Sequence, residues 1–147
     1  MDTEGVRAQY RPQRIVTLFV GESPPASGKF FYYGNTALAR NMEAAMLAAG
    51  LGGNGNFLER FKERGWYLDD LVLQPVDQLQ RTERRRKCRG AQESLANRIK
   101  VYKPRAIVSL LLESGTLSKP LPKPLAAMRN YLPCRFPANG QQAVSVK

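Results

Sequence analysis

Histidine is absent from this 147-residue chain, and that absence excludes more chemistry than any residue present. Without an imidazole there is no Ser-His-Asp or Cys-His activation of a nucleophile, and the commonest transition-metal ligand is missing. Cysteine is scarce: two thiols, Cys88 and Cys134, lie far apart and without CxxC spacing. They support neither a zinc site nor a disulfide framework, and they read as buried, reduced thiols. No apolar run approaches the roughly 18–20 residues that cross a bilayer. The opening Met1-Asp2-Thr3-Glu4-Gly5 lacks the basic-then-apolar order of a secretory signal. These absences predict a soluble, cytoplasmic protein with no membrane partner. Any catalysis must draw on carboxylates, hydroxyls, lysine or backbone dipoles.

Acidic residues are also in short supply. Twelve Asp and Glu face 23 Lys and Arg, giving a net charge of +11 and a pI of about 10.1. Two readings stay open. The excess favours polyanions through counterion release, which makes nucleic acid the leading partner class. Alternatively, it is a solvated basic surface that keeps the protein in solution. The length and a hydrophobic content of 43% fit one domain that buries its own core, monomeric by default.

The polar residues 1–13 show no periodicity and read as a flexible N-terminal arm, leaving 14–147 as a single domain. Arg14 to Val20 is a short run rich in β-branched residues and closed by Gly21, the pattern of a strand buried on both faces. Residues 21–34 form a loop dense in proline, glycine and aromatic side chains. Leu38, Met42, Ala45, Met46 and Ala49 recur at helical spacing over 35–49, and Gly50 ends that helix. A glycine-rich turn at 52–56 leads to a short helix at 57–63, and Trp66 to Leu73 reads as a second strand. The stripe Cys88, Ala91, Leu95 and Ile99 predicts one long helix over 82–101 with a strongly basic opening. Ala106 to Leu112 is a third strand. A Pro/Lys loop at 119–124, a short helix at 125–130, an edge strand at 131–136 and a turn at 137–142 complete the pattern. Strands alternating with helices predict a three-layer α/β/α sandwich around a mostly parallel, four-stranded central sheet. Ligands bind such sheets at the carboxyl ends of the strands, which singles out the loops beginning at Gly21 and at Pro137.

The motif Val20-Gly21-Glu22-Ser23-Pro24-Pro25 resembles the first motif, GEAPG, of one branch of the uracil-DNA glycosylase superfamily. Gly28-Lys29-Phe30-Phe31-Tyr32-Tyr33-Gly34 is similar to the Gly-Arg-Pro-Phe-Val-Gly stretch that follows it there. Tyr102-Lys103-Pro104-Arg105-Ala106-Ile107-Val108-Ser109-Leu110 looks like the family's lead into its third strand. The likeness covers most of residues 14–142 through short motifs in a shared order. Four departures stand out. Asp70 occupies the place of the family's Asn, and Phe136-Pro137-Ala138-Asn139 stands where His-Pro-Ser is usual. The iron–sulfur cysteines have no counterparts, so no cofactor and no metal are expected. The chain as given stops at Lys147, where the family has a further helix.

The resemblance implies an N-glycosyl hydrolase that removes uracil or a related damaged base from DNA, as in base-excision repair. The alternative is a non-catalytic nucleic-acid-binding domain that keeps the fold. Breaking an N-glycosidic bond needs a carboxylate near the oxocarbenium-like sugar, and the first strand delivers Glu22 to that position. The other reading of Glu22 is a cap on the following turn. Gly21, Ser23 and Pro24 shape the loop backbone. Phe31 would stack a base swung out of the helix, unless the aromatic loop merely packs on itself. Asp70 would accept from a base N–H, or else cap or pair with a nearby Arg. Asn139 would donate to the leaving base, with Gly140 and Gln141 cradling a phosphate, or these three form a plain Asn-Gly turn. Lys29, Arg84 and Arg85 are the candidate phosphate contacts. The basic run opens a helix, against the macrodipole and remote from the strand ends unless the preceding loop folds back.

Overall fold

The structure is a computed structural model, and it describes residues 2–110. The expected helix at 125–130, the strand at 131–136, the turn at 137–142 and Cys134 lie outside the described residues. Within them the chain is mixed α/β, built on a three-stranded, wholly parallel sheet in the order β2-β1-β3. The strands are β1 (Thr17–Gly21), β2 (Trp66–Asp70) and β3 (Ala106–Ser109). Thr17 sits opposite Trp66 on one side and opposite Ala106 on the other. Leu18 and Val20 are completely buried, as expected of a strand paired on both edges.

Parallel neighbours cannot be joined by a hairpin, so each connection carries helices. Between β1 and β2 run α2 (Ala37–Ala48) and α3 (Phe57–Glu63). The Thr36 hydroxyl caps α2 by accepting from Ala39 N–H at 3.1 Å, and Met42 and Met46 turn inward from it. Asn56 and Glu59 close a capping box on α3, whose Phe57, Leu58 and Phe61 are buried. Gly65 then turns the chain into β2 with φ +69°, where a Cβ would lie 2.9 Å from the Arg14 carbonyl oxygen. Only glycine fits there.

Three expectations need correction. Residues 3–9 are not a loose arm but a helix, α1 (Thr3–Gln9), capped by Asp2, whose carboxylate accepts from Gly5 N–H at 2.8 Å. Its anchor is polar: Arg7 is only 2% exposed. The single helix expected over 82–101 is two, α4 (Arg81–Gly90) and α5 (Gln92–Tyr102), parted at Ala91. The apolar stripe runs through the break, which is why periodicity alone misses it. Finally, β2 ends at Asp70 rather than Leu73, although its neighbour's ladder continues: Leu71 N–H donates to Gly21 O at 2.8 Å and Val72 N–H to Glu22 O at 2.9 Å.

The core joins Ile15, Leu18 and Val20 to Met42, Met46, Phe61, Leu68 and Leu95. No helix among the described residues is long and apolar enough to cross a membrane.

Candidate functional site at the carboxyl end of the central strand

Because β2 and β3 lie on opposite sides of β1, the strand order reverses at β1. Its carboxyl end is therefore the topological switch point, where α/β sheets open a crevice. The sequence reserves Gly21 for this spot. It sits in register with Asp70, and a Cβ on it would come within 2.5 Å of Asp70 Oδ1. The loop that follows is tied to the loop after β2. Val76 N–H donates to Ser23 Oγ at 3.3 Å, Ala26 N–H donates to the Asp77 carboxylate at 3.1 and 3.2 Å, and Pro24 is buried.

Glu22 completes this seam. Arg84, in the first turns of α4, donates from Nε to Glu22 Oε1 at 2.7 Å and from Nη2 to Oε2, a two-pronged pairing. Cys88, one turn further along α4, donates its thiol to Oε1 at 3.4 Å. The Arg84 bonds hold the Glu22 carboxyl below the usual glutamate range; burial opposes this, and the Cys88 bond adds to it. Arg84 is thus not remote from the strand ends, because the loop after β2 folds back and carries it to Glu22. The side chains are 37% (Arg84) and 30% (Glu22) exposed, so the pair is worth at most about 1 kcal/mol. With the folded pKa depressed, that contribution is present above the ordinary glutamate range and is lost as pH falls through the folded value.

Burial, and then the bond to Glu22 and its charge, push the Cys88 thiol from 9.0 up to about 11. At pH 8 such a thiol holds about a hundredth of the usual thiolate, partly offset by its greater intrinsic nucleophilicity. In a Cys134→Ser background, alkylation of Cys88 by iodoacetamide is expected to run about tenfold slower than that of a free cysteine. Glu22→Gln should speed it. An ordinary rate that this substitution leaves unchanged would contradict the contact.

Asp70 does not face a ligand. It is 5% exposed, and its Oδ2 accepts from Arg7 Nη2 at 2.8 Å. Its neighbour Asp69, 1% exposed, accepts from Arg7 Nη1 at 3.1 Å and from Arg98 Nε at 2.8 Å. Arg98 Nη2 also donates to the Asp70 carbonyl at 2.6 Å. Burial pushes the Asp70 carboxyl upward, and Arg7 pulls it back without cancelling the shift. The ion-pair reading holds for Asp70, and the base-reading role is withdrawn.

Phe31 is corrected in the same way. It is 4% exposed and packs edge-on against Tyr32, Phe57 and Phe61, with ring centroids 5.0–5.9 Å apart. A ring sealed among others cannot stack an incoming base. Tyr32 is spoken for as well: its hydroxyl accepts from Leu68 N–H at 2.7 Å and donates to Leu68 O at 2.9 Å. Of the four loop rings only Tyr33 is not fully buried. Lys29 is exposed beside them, and Arg85 follows Arg84 on α4, half-buried. Asn139, Gly140 and Gln141 lie outside the described residues.

Sequence reasoning missed Arg7, Arg98 and Cys88 as participants in this region. One signal pointed to the first two: adjacent aspartates in an otherwise apolar strand require cations from elsewhere in the chain. Two open hollows, of about 570 and 710 Å³, lie beside Arg14, Lys62 and Gly65 and beside Arg11, Ser94 and Tyr102, and neither is lined by Glu22. Among the described residues no group of three His, Cys, Asp or Glu side chains is placed to hold a metal ion. Comparison of the chain with family models, curated proteins and solved structures found no match.

Proposed function

We propose that this domain binds nucleic acid across the carboxyl edge of its sheet, with α4 supplying the phosphate contacts. The observation that supports this reading is the docking of α4 at the switch point through Arg84 and Glu22. That contact brings a helix with six cations and one acid, Glu83, to the place where parallel sheets receive ligands. None of its ten residues is fully buried, and Arg81, Arg86, Lys87 and Arg89 are exposed. Like charges along one helix repel, and cations in its first turn oppose the macrodipole. A row of phosphates relieves both.

The test is the salt dependence of binding to a single-stranded oligonucleotide, followed by fluorescence anisotropy. Each phosphate contact contributes about −0.7 to the slope of log K against log salt. Replacing Arg81, Arg86, Lys87 and Arg89 with Gln is therefore expected to flatten the slope by about 3. An unchanged slope would place the contacts elsewhere.

A second reading has its own support. Glu22 is held ionised and partly open at the switch point, as needed to stabilise an oxocarbenium-like sugar, and the GESPP motif resembles that of the uracil-DNA glycosylases. On this reading the domain is an N-glycosyl hydrolase acting on uracil or a related base, with some ring other than Phe31 stacking the base. Incubation with uracil-containing oligonucleotides and scoring of alkali-labile sites separates the two. Binding without base release fits the first reading. Release that Glu22→Gln abolishes replaces it with the second.

A further inference from the structure

We infer that the Glu22–Arg84 pair is an exchangeable latch: a phosphate-bearing ligand takes the Arg84 guanidinium from Glu22 and leaves the carboxylate open at the carboxyl end of β1. This rests on the nucleic-acid reading for the natural source of the phosphate. Two observations and two general properties of ion pairs carry it. The partners come from different elements, the end of β1 and the start of α4, 62 residues apart. Both are partly open to solvent, whereas the Arg7–Asp69 pair is sealed at 2% and 1% exposure. An exposed pair is weak enough to exchange, while a buried one is not. The planar guanidinium fork fits a phosphate as well as a carboxylate, so exchange needs no new geometry.

The surroundings suit both states. Arg81, exposed and three residues before Arg84 on the same helix, adds to the attraction for an incoming anion, while the intervening Glu83 pairs with Arg86 at 3.8 Å. Glu22 is held at its backbone by Val72 N–H, 2.9 Å from the Glu22 carbonyl oxygen, so the side chain can be released while the residue stays in place. The Cys88 thiol remains as a donor to Oε1 once Arg84 has left. The closed state thus keeps the carboxylate neutralised until a polyanion arrives.

The test follows the titration of Glu22 by NMR on protein labelled at the glutamate side-chain carboxyl carbon, with Glu22→Gln identifying the signal. Inorganic pyrophosphate and a thymidine oligonucleotide serve as separate probes, and Arg84→Gln is run beside the wild type. Either probe is expected to move the Glu22 midpoint upward in the wild type, as loss of the Arg84 bonds requires. In Arg84→Gln the midpoint should already be raised, and neither probe should move it further. Arg84→Met, which removes the charge and keeps an unbranched stem, gives the same comparison if the Gln variant fails to fold. A probe that binds and leaves the midpoint in place overturns the latch, and so does an equal shift in Arg84→Gln. A shift with pyrophosphate but no oligonucleotide binding keeps the latch and removes the nucleic-acid reading. Failure of both probes to bind removes both.

Discussion

Arg7→Ala is expected to destabilise the domain by about 3–5 kcal/mol, measured as a fall in the urea midpoint with little change in slope. The size follows from what the substitution leaves behind. Asp69 and Asp70 are 1% and 5% exposed, and Arg7 bonds both carboxylates while its guanidinium also lies 5.1 Å from the centroid of the Phe30 ring. Burial works against the charge on Arg7, yet Asp70 and Asp69 more than offset it, so the guanidinium stays protonated. Without it Arg98 still pairs with Asp69, but the Asp70 carboxylate, almost fully buried, loses the guanidinium that bonds it. A deep penalty arises from the stranded charge rather than from the lost attraction. Adding Asp70→Asn to Arg7→Ala should therefore recover part of the loss. A cost under about 1 kcal/mol would mean that α1 is peripheral, as an exposed pair would be.

Phe31→Ala is expected to cost a similar amount, about 3–5 kcal/mol, through the cavity it opens between α3 and the aromatic loop. The informative part is what should not change. Measured where the variant is still folded, affinity for an oligonucleotide should match the wild type, because the ring has no free face to offer a base. A tenfold loss of affinity with little loss of stability would return the stacking role to Phe31.

These two residues mark the boundary of what could be read from the chain. The buried strand before Gly21 was legible because β-branched residues closed by glycine admit few other conformations, and β1 falls within a few residues of its expected place. α2 and α3 were legible from helical spacing and their end signals. The location of the candidate site was legible too, since it follows from parallel topology. Its occupants were not. A run of aromatics in a loop looks the same in sequence whether it faces a ligand or the core, and only the packing of Phe57 and Phe61 decides it. Arg7 sits in a stretch without hydrophobic period, and its partners lie 62 and 63 residues away. Arg84 reads in sequence as a phosphate contact and is found paired with Glu22; no local pattern predicts that the loop after β2 will fold back and carry α4 there. The break at Ala91 lets two helices answer to separate anchors, Arg84 to Glu22 and Arg98 to Asp69, and an unbroken apolar stripe conceals this.

The central position of β1 also sets a timetable. Its first residue, Thr17, pairs with Trp66 and Ala106, so both neighbours are translated long after it. At about 5–20 residues per second, the strand waits on the order of seconds for its first partner. Through that interval an apolar segment is made and unpaired, with α1 still lacking the carboxylates that will seat Arg7. Parallel pairing of distant segments adds its own delay, because the entropy of closing the intervening loop is lost before the contacts form. During synthesis the hazard for this protein is therefore the early exposure of Thr17 to Val20, and the step that ends it is the arrival of Trp66 to Asp70, which brings β1 its first neighbour and α1 its anchor together.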